Sequence, residues 1–292
     1  MSYYPVERLP VVQRRIARRL DDATFAIMSR SCNHHRLDGQ RVLVTGAGRG
    51  IGQAIAVICS KAGAKVAITS RTASELQDTA ARMDAAHAPL LHVADVNDGE
   101  QVRAMVDSIV SQWGGIDILI NNAGISQAIK GTFDSMDSDD LLRVLNMNVV
   151  AVHRVTSAVV PHMKYGSRVV NISSRAGKCA RPDISFYVAS KFALEGLTAA
   201  MAEELKERDI QVNSLSPGSV QTLSFPKPDG QAGVRTAESI IDGLFAVLES
   251  NVTAHYLHVD ELDMVRQKGL NDSLAFKQIN EEPFGSRLGR QH

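Results

Sequence analysis

From Arg41 onward, short runs rich in β-branched residues alternate with stretches whose apolar residues recur at helical spacing. That alternation is how successive strand–helix–strand units read in a sequence. Strands are expected at Val42 to Thr45, Lys65 to Thr69, Leu90 to Val93, Asp117 to Asn121, Arg168 to Ile172, Gln211 to Leu215 and His255 to Val259. Helical crossovers between parallel strands cover both faces of a sheet, so the expected fold is α/β: a doubly wound, seven-stranded parallel sheet in a single domain. Open sheets of this kind bind ligands beyond the carboxyl ends of their strands, and the motifs that matter should stand there.

Composition narrows the possibilities. In 292 residues that are 44% apolar there is enough to bury a substantial core. Lys plus Arg equal Asp plus Glu at 32 each, which leaves no overall field to draw the chain to nucleic acid or an anionic membrane. Cys32, Cys59 and Cys179 are too far apart for a metal-ligand cluster and odd in number, a pattern that fits a reducing compartment and predicts no metal site. No apolar run approaches the roughly 20 residues that span a bilayer, and no apolar signal-peptide core opens the chain. A soluble, cytoplasmic protein without a transmembrane segment is expected.

The catalytic domain is expected over residues 39–260, between an N-terminal extension at 1–38 and a polar C-terminal extension at 261–292. In the first, Val12, Ile16 and Leu20 share one helical face while Arg14, Arg15, Arg18 and Arg19 fill another. A helix packed on its own fold or on a sister subunit is favoured. Mitochondrial targeting is the weaker alternative, because Asp21 and Asp22 are uncharacteristic of transit peptides.

Thr45-Gly46-Ala47-Gly48-Arg49-Gly50-Ile51-Gly52 follows the first strand and opens a helix expected to reach about Ala62. Glycines at 46, 50 and 52 let the backbone turn tightly and approach a pyrophosphate, while the helix N-terminus aims free N–H groups at the anion. A Rossmann-type dinucleotide site is the reading that this context supports.

The TGxxxGxG spacing resembles the classical short-chain dehydrogenase/reductase family, and the rest of the chain continues the resemblance in order. Asp95-Val96 stands where that family contacts adenine, and Asn121-Asn122-Ala123-Gly124 follows the fourth strand. Asn148, Ser174, Tyr187 and Lys191 occupy the catalytic tetrad positions, with Tyr187 and Lys191 in the YxxxK motif. Pro217-Gly218, Val220 and Thr222 match the segment bounding the nicotinamide. The resemblance spans roughly residues 38 to 260 and implies an oxidoreductase that moves hydride between nicotinamide and a carbonyl or secondary alcohol. The cofactor-binding set it implies is Thr45, Gly46, Arg49, Gly50, Ile51, Gly52, Ser70, Arg71, Asp95, Val96, Asn122, Ala123, Gly124, Tyr187, Lys191, Pro217, Gly218, Val220 and Thr222.

At the end of the second strand, NAD-preferring enzymes carry an acid for the adenosine ribose. Here Ser70 holds that place, Arg71 follows, and Arg49 stands in the glycine loop with no acid between them in the motif. Two guanidinium groups can hold a 2′-phosphate through charge-assisted hydrogen bonds, so NADP(H) is expected over NAD(H).

An isolated tyrosine, with a pKa of about 10, is a poor base near neutrality. YxxxK spacing places Lys191 one turn from Tyr187, where its ammonium is expected to lower that pKa. Ser174, expected to end the fifth strand, would bind the substrate oxygen. By resemblance, Lys191 would also hold the nicotinamide ribose and Asn148, within a long helix, a water linked to Lys191.

The chain departs from the family pattern after Asp260, where Glu261-Leu262-Asp263 replaces Asp-Gly-Gly. Lys130, Arg175, Lys178, Arg181 and Lys227 follow strand carboxyl ends. Solvated loop charges are the plainer reading of them, recognition of an anionic substrate the other. Apolar residues of the segments at Ser138 to Met163 and Tyr187 to Arg208, among them Leu141, Val144, Val152, Val155, Phe192, Leu197 and Met201, suggest a homodimer or homotetramer. Carbonyl reduction with NADPH is the leading reading. An NAD-linked alcohol dehydrogenase or a silent nucleotide-binding scaffold are the alternatives.

Overall fold

The computed structural model describes residues 37–125, 131–178, 180, 182–218, 220, 237–249 and 255–257. The seven strands form one sheet in the order β3-β2-β1-β4-β5-β6-β7, every pair parallel. They are β1 (Arg41–Thr45), β2 (Lys65–Ser70), β3 (Leu90–Val93), β4 (Ile118–Asn121), β5 (Arg168–Ile172), β6 (Gln211–Ser216) and β7 (His255–Leu257). The chain winds outward from β1 in one direction to β3 and then in the other to β7. The crevice lies where that direction reverses, between β1 and β4.

Burial follows from the period-two side-chain alternation of a strand. On β1, Val42 and Val44 enter one apolar cluster and Leu43 the other, so a central strand must be apolar throughout. The first cluster takes Ile55 and Ala56 from α1 (Gly50–Lys61), Leu76 from α2 (Ala73–Ala80) and Leu244 from α7 (Ile241–Glu249). The second takes Val102, Val106 and Ile109 from α3 (Gly99–Trp113), Val155 and Val159 from α5 (Ala151–Val159) and Met201 from α6 (Ser185–Glu204). On the edge strand β3, Leu91 and Val93 are exposed.

The expected elements are present with local differences. Asp117, expected to open β4, stands just before it, with its backbone bonded to Arg41 O and Arg168 N and its carboxylate engaged. It accepts from Arg41 N at 2.9 Å, Arg41 Nε at 2.8 Å and Arg41 Nη2 at 2.7 Å, and lies 3.2 Å from Lys164 Nζ. Those partners hold it well down, to about 2, against the opposing push of burial. The long helix expected from Ser138 runs without a gap through α4 (Ser138–Leu145), a π-helical turn at Asn146–Val150, α5 and a 3₁₀ turn at Val160–His162. Leu37 already packs in the core, two residues before the expected domain boundary, and residues 258–259 of the expected last strand lie outside the described residues, as do both extensions beyond this point.

Five of the seven apolar residues read as surplus have partners within the chain: Val144, Val152, Val155 and Met201 are buried, and Leu197 packs against the second cluster. The surface left on these helices is Leu142, Val150 and Phe192.

Candidate active site at the carboxyl edge of the sheet

The glycine loop is fastened before any ligand enters. Asn122 Nδ2 donates to the Thr45 and Gly46 carbonyls at 3.0 Å each, and Thr45 Oγ1 accepts from Asn122 N at 3.0 Å and Ala123 N at 3.1 Å. Thr45 and Asn122 thus lock the first crossover to the turn after β4. A Cβ on Gly52 would stand 2.3 Å from Gly46 O, and one on Gly46 2.8 Å from Ala123 Cα. These are backbone collisions, so the helix approaches the loop this closely only as glycine. Arg49 precedes α1 with no side-chain cap on the helix and no acid in its first turn, leaving the N–H groups of the helix start directed outward.

A cleft of about 460 Å³ opens there, lined by Gly46, Arg49, Gly50, Ile51, Ser70, Arg71, Asp95, Val96, Asn122, Ala123 and Gly124, among others. The sequence motifs scattered from 45 to 124 therefore meet in one place. Thr45 and Gly52 are behind this wall as supports. Asp95 is held by the turn in which its carboxylate accepts from Asn97 N at 2.9 Å. The groups present suit a dinucleotide: a helix start and close-approach glycines for phosphates, and Asp95 with Val96 at the far end of the cleft.

One acid was missed. Glu75, in the first turn of α2, also lines the cleft, and its Oε1 lies 3.5 Å from Arg49 Nη1. The expectation of two arginines free of any acid is corrected: sequence proximity did not reveal a carboxylate brought in by another element.

The π turn at Asn146–Val150 adds a residue to one helical turn and turns Asn148 inward, as such bulges often do near functional sites. Asn148 is buried. Its Nδ2 donates to Ile125 O and to Ser190 Oγ at 3.0 Å each, and its Oδ1 accepts from Ile125 N at 2.8 Å. Both amide hydrogens are thus committed to protein. The side chain ties the end of the cofactor cleft at Ile125 to α6, where Ser190 donates to Tyr187 O at 2.8 Å.

Ser174 stands two residues past β5, capping the 3₁₀ turn Arg175–Gly177 by accepting from Ala176 N at 3.1 Å. It also makes a side-chain hydrogen bond to Tyr187, which favours the phenolate, whereas burial of Tyr187 acts more strongly and raises its pKa. Lys191 Nζ sits 5.7 Å from the Tyr187 ring centroid and donates to Ile172 O at 2.9 Å. Burial drives Lys191 down to about 8, with Glu195 opposing. Tyr187 is thus raised rather than lowered as expected, because burial outweighs the Ser174 hydrogen bond.

Below this dyad is a network that the motifs did not announce. Lys178 Nζ lies 3.2 Å from Glu195 Oε2, both side chains buried, and Ser214 and Ser216 donate to Glu195 at 2.8 and 2.9 Å. Lys178 is therefore neither a solvated loop charge nor a free anion receptor. Arg175 is partly buried, while Lys130, Arg181 and Lys227 lie outside the described residues. Pro217 O accepts from Arg175 N at 3.0 Å. Gly218 and Val220 continue from β6, but Thr222 lies outside the described residues.

Cys59 is buried, its thiol pushed up to about 12, which makes it unreactive. Among the described residues no group of three or more His, Cys, Asp or Glu could hold a metal ion. Nor is any helix there long and apolar enough to cross a membrane.

A short chain dehydrogenase family model matches residues 40–228. The chain belongs to the short-chain dehydrogenase/reductase family. It is 35% identical over 192 residues to the 3-oxoacyl-[acyl-carrier-protein] reductase FabG of Thermotoga maritima, covering 64% of this chain and 76% of that one. It is 40% identical over 190 residues to gluconate 5-dehydrogenase of Gluconobacter oxydans, covering 64% and 73%. A short chain dehydrogenase from Burkholderia cenocepacia, solved in complex with NADP, superposes with a TM-score of 0.67 at 36% identity, covering 74% of this short-chain dehydrogenase/reductase and 93% of the solved chain. The family assignment makes the protein an oxidoreductase acting on hydroxyl or keto groups with NAD(P).

Proposed function

We propose that this protein is a carbonyl reductase using NADPH, with Ser174 and Tyr187 at the substrate oxygen. The observation that carries this reading is geometric: Tyr187 is hydrogen-bonded by the Ser174 side chain, with Lys191 Nζ 5.7 Å from its ring centroid. A phenol that holds its proton at neutral pH is placed there to act as the acid that carbonyl reduction requires. NADPH, when bound, supplies the hydride. Ser174 donates to the carbonyl oxygen and orients it, Tyr187 gives that oxygen its proton, and Lys191 holds the nicotinamide ribose beside it. Asn148 fixes Ile125 and Ser190, and through them the spacing between cleft and dyad.

Arg71 and Arg49 at the ribose end of the cleft support NADP(H) over NAD(H), as does the NADP bound to the Burkholderia cenocepacia protein. The relatives that reduce oxoacyl groups and oxidise gluconate suggest small-molecule substrates carrying a ketone or secondary alcohol. Exposed Leu142, Val150 and Phe192 on α4, the π turn and α6 support a homo-oligomer through that face.

The test is NADPH oxidation over a panel of ketones, aldehydes, quinones and 3-oxoacyl thioesters. Turnover of one carbonyl class is expected. Tight NADPH binding with no oxidation across the panel would replace this reading by a silent nucleotide-binding protein, and faster alcohol oxidation with NAD would replace it by a dehydrogenase.

A further inference from the structure

Glu75 shares the wall of the cleft with Arg49, Ser70 and Arg71. Its Oε2 and Ser70 Oγ both close on Gly48, where a Cβ would meet them at 2.7 and 2.9 Å. Gly48 thus leaves room for this carboxylate beside the ribose end of the site. The backbone beneath Glu75 is anchored to the glycine loop through the buried Thr79. Thr79 Oγ1 lies 2.9 Å from Ala47 O, 3.3 Å from Gly48 O and 3.0 Å from Glu75 O, and receives Gln53 Nε2 at 3.0 Å. The position of the acid relative to the loop is therefore set by the fold.

Resting on the reading of this cleft as a dinucleotide site, we propose that Glu75 sets its cofactor selectivity. Its carboxylate competes with the 2′-phosphate of NADP(H) for Arg49 and offers an acceptor to the ribose hydroxyls of NAD(H). The physical reason is charge: a phosphate that reaches Arg49 must approach a carboxylate already 3.5 Å from that guanidinium, and the two like charges repel, screened in part because both side chains are partly exposed. NAD(H) brings no such charge. Arg71, exposed in the same wall, supplies the attraction that Glu75 offsets. The site then accepts both dinucleotides, with a preference for NADP(H) narrower than its two arginines alone would give.

The test is titration of the full chain with NADPH and with NADH, followed by nucleotide fluorescence, for the parent, Glu75→Gln and Arg71→Asp. Glu75→Gln keeps the side chain's size and removes its charge. It should tighten NADPH by about three- to tenfold at ~0.1 M salt and leave NADH unchanged or weaker. The gain should shrink at ~1 M salt, where the screening length falls to about 3 Å. A Glu75→Gln affinity ratio within twofold of the parent, with Arg71→Asp shifting strongly toward NADH, would overturn the role of Glu75 and leave the NADP(H) reading standing. An unchanged ratio in both variants would overturn both.

Discussion

The Lys191 ammonium lies 5.7 Å from the centre of the Tyr187 ring, one helical turn along α6. It is turned toward Ile172 O at 2.9 Å rather than bound to the phenol. On the proposed reading the two residues have separate tasks, proton donation by Tyr187 and ribose binding by Lys191. Tyr187→Phe should lower kcat by at least about 100-fold, the lower end of what general acid catalysis supplies, with NADPH affinity nearly unchanged. Lys191→Met should weaken NADPH binding as well as turnover. Steady-state rates and nucleotide titrations read the difference. A Tyr187→Phe enzyme of near-parent activity would remove Tyr187 from the mechanism.

The same pair predicts the pH profile. Lys191, lowered to about 8, is charged below that pH and loses its proton above it. Tyr187, raised by burial, still holds its own. Carbonyl reduction should therefore be flat toward acid from neutrality and fall above about pH 8 as the Lys191 charge is lost. Glu195 favours the charged form of Lys191, so Glu195→Gln should move the descending limb toward lower pH. A limb unmoved in that variant, measured as kcat/KM against pH, would show that Glu195 does not act on Lys191.

The Lys178–Glu195 ion pair predicts a pattern of stability. Removing Glu195 alone leaves Lys178 buried without its carboxylate and two serine hydroxyls without their acceptor. A cost of about 3 kcal/mol is expected for Glu195→Ala. Lys178→Met combined with Glu195→Gln removes both charges and should recover most of it, as replacing a whole buried pair often does. Denaturant midpoints of the parent, Glu195→Ala and the double variant give the comparison, and a double variant no more stable than Glu195→Ala would contradict it.

Asp117 ties the opposite edge of the sheet. Its folded pKa, about 2, is below the ordinary aspartate value of about 3.9. Its contribution is therefore present above pH ~4 and is lost as the pH falls from there toward 2. Asp117→Ala should cost about 3 kcal/mol at neutral pH, and its deficit relative to the parent should narrow over that acid window. Thermal melts from pH 7 to pH 2 provide the check, and a deficit constant with pH would mean that the carboxylate's charge is not what stabilises.

Local pattern in the chain encodes the strands and the close-packed motifs. The β-branched runs placed the strands to within a residue or two, because a strand buried on both faces leaves no choice of residue at Val42, Leu43 and Val44. The glycine loop, Asn121 to Gly124 and YxxxK were legible for a similar reason: close backbone approach admits only glycine at position 52, and a helix turn fixes how far Tyr187 stands from Lys191. Tertiary structure alone decided which charges meet. Glu75 reaches Arg49 across 26 positions, and Lys178 reaches Glu195 from a different element, contacts that no spacing rule carries, although Glu195 does follow Lys191 by one helical turn. It also decided the ionisation of Tyr187 and Lys191, since burial is a property of everything packed around a group and not of its neighbours in the chain. It also decided the π turn within the helix from Ser138, where the buried Asn148 side chain meets Ile125 and Ser190.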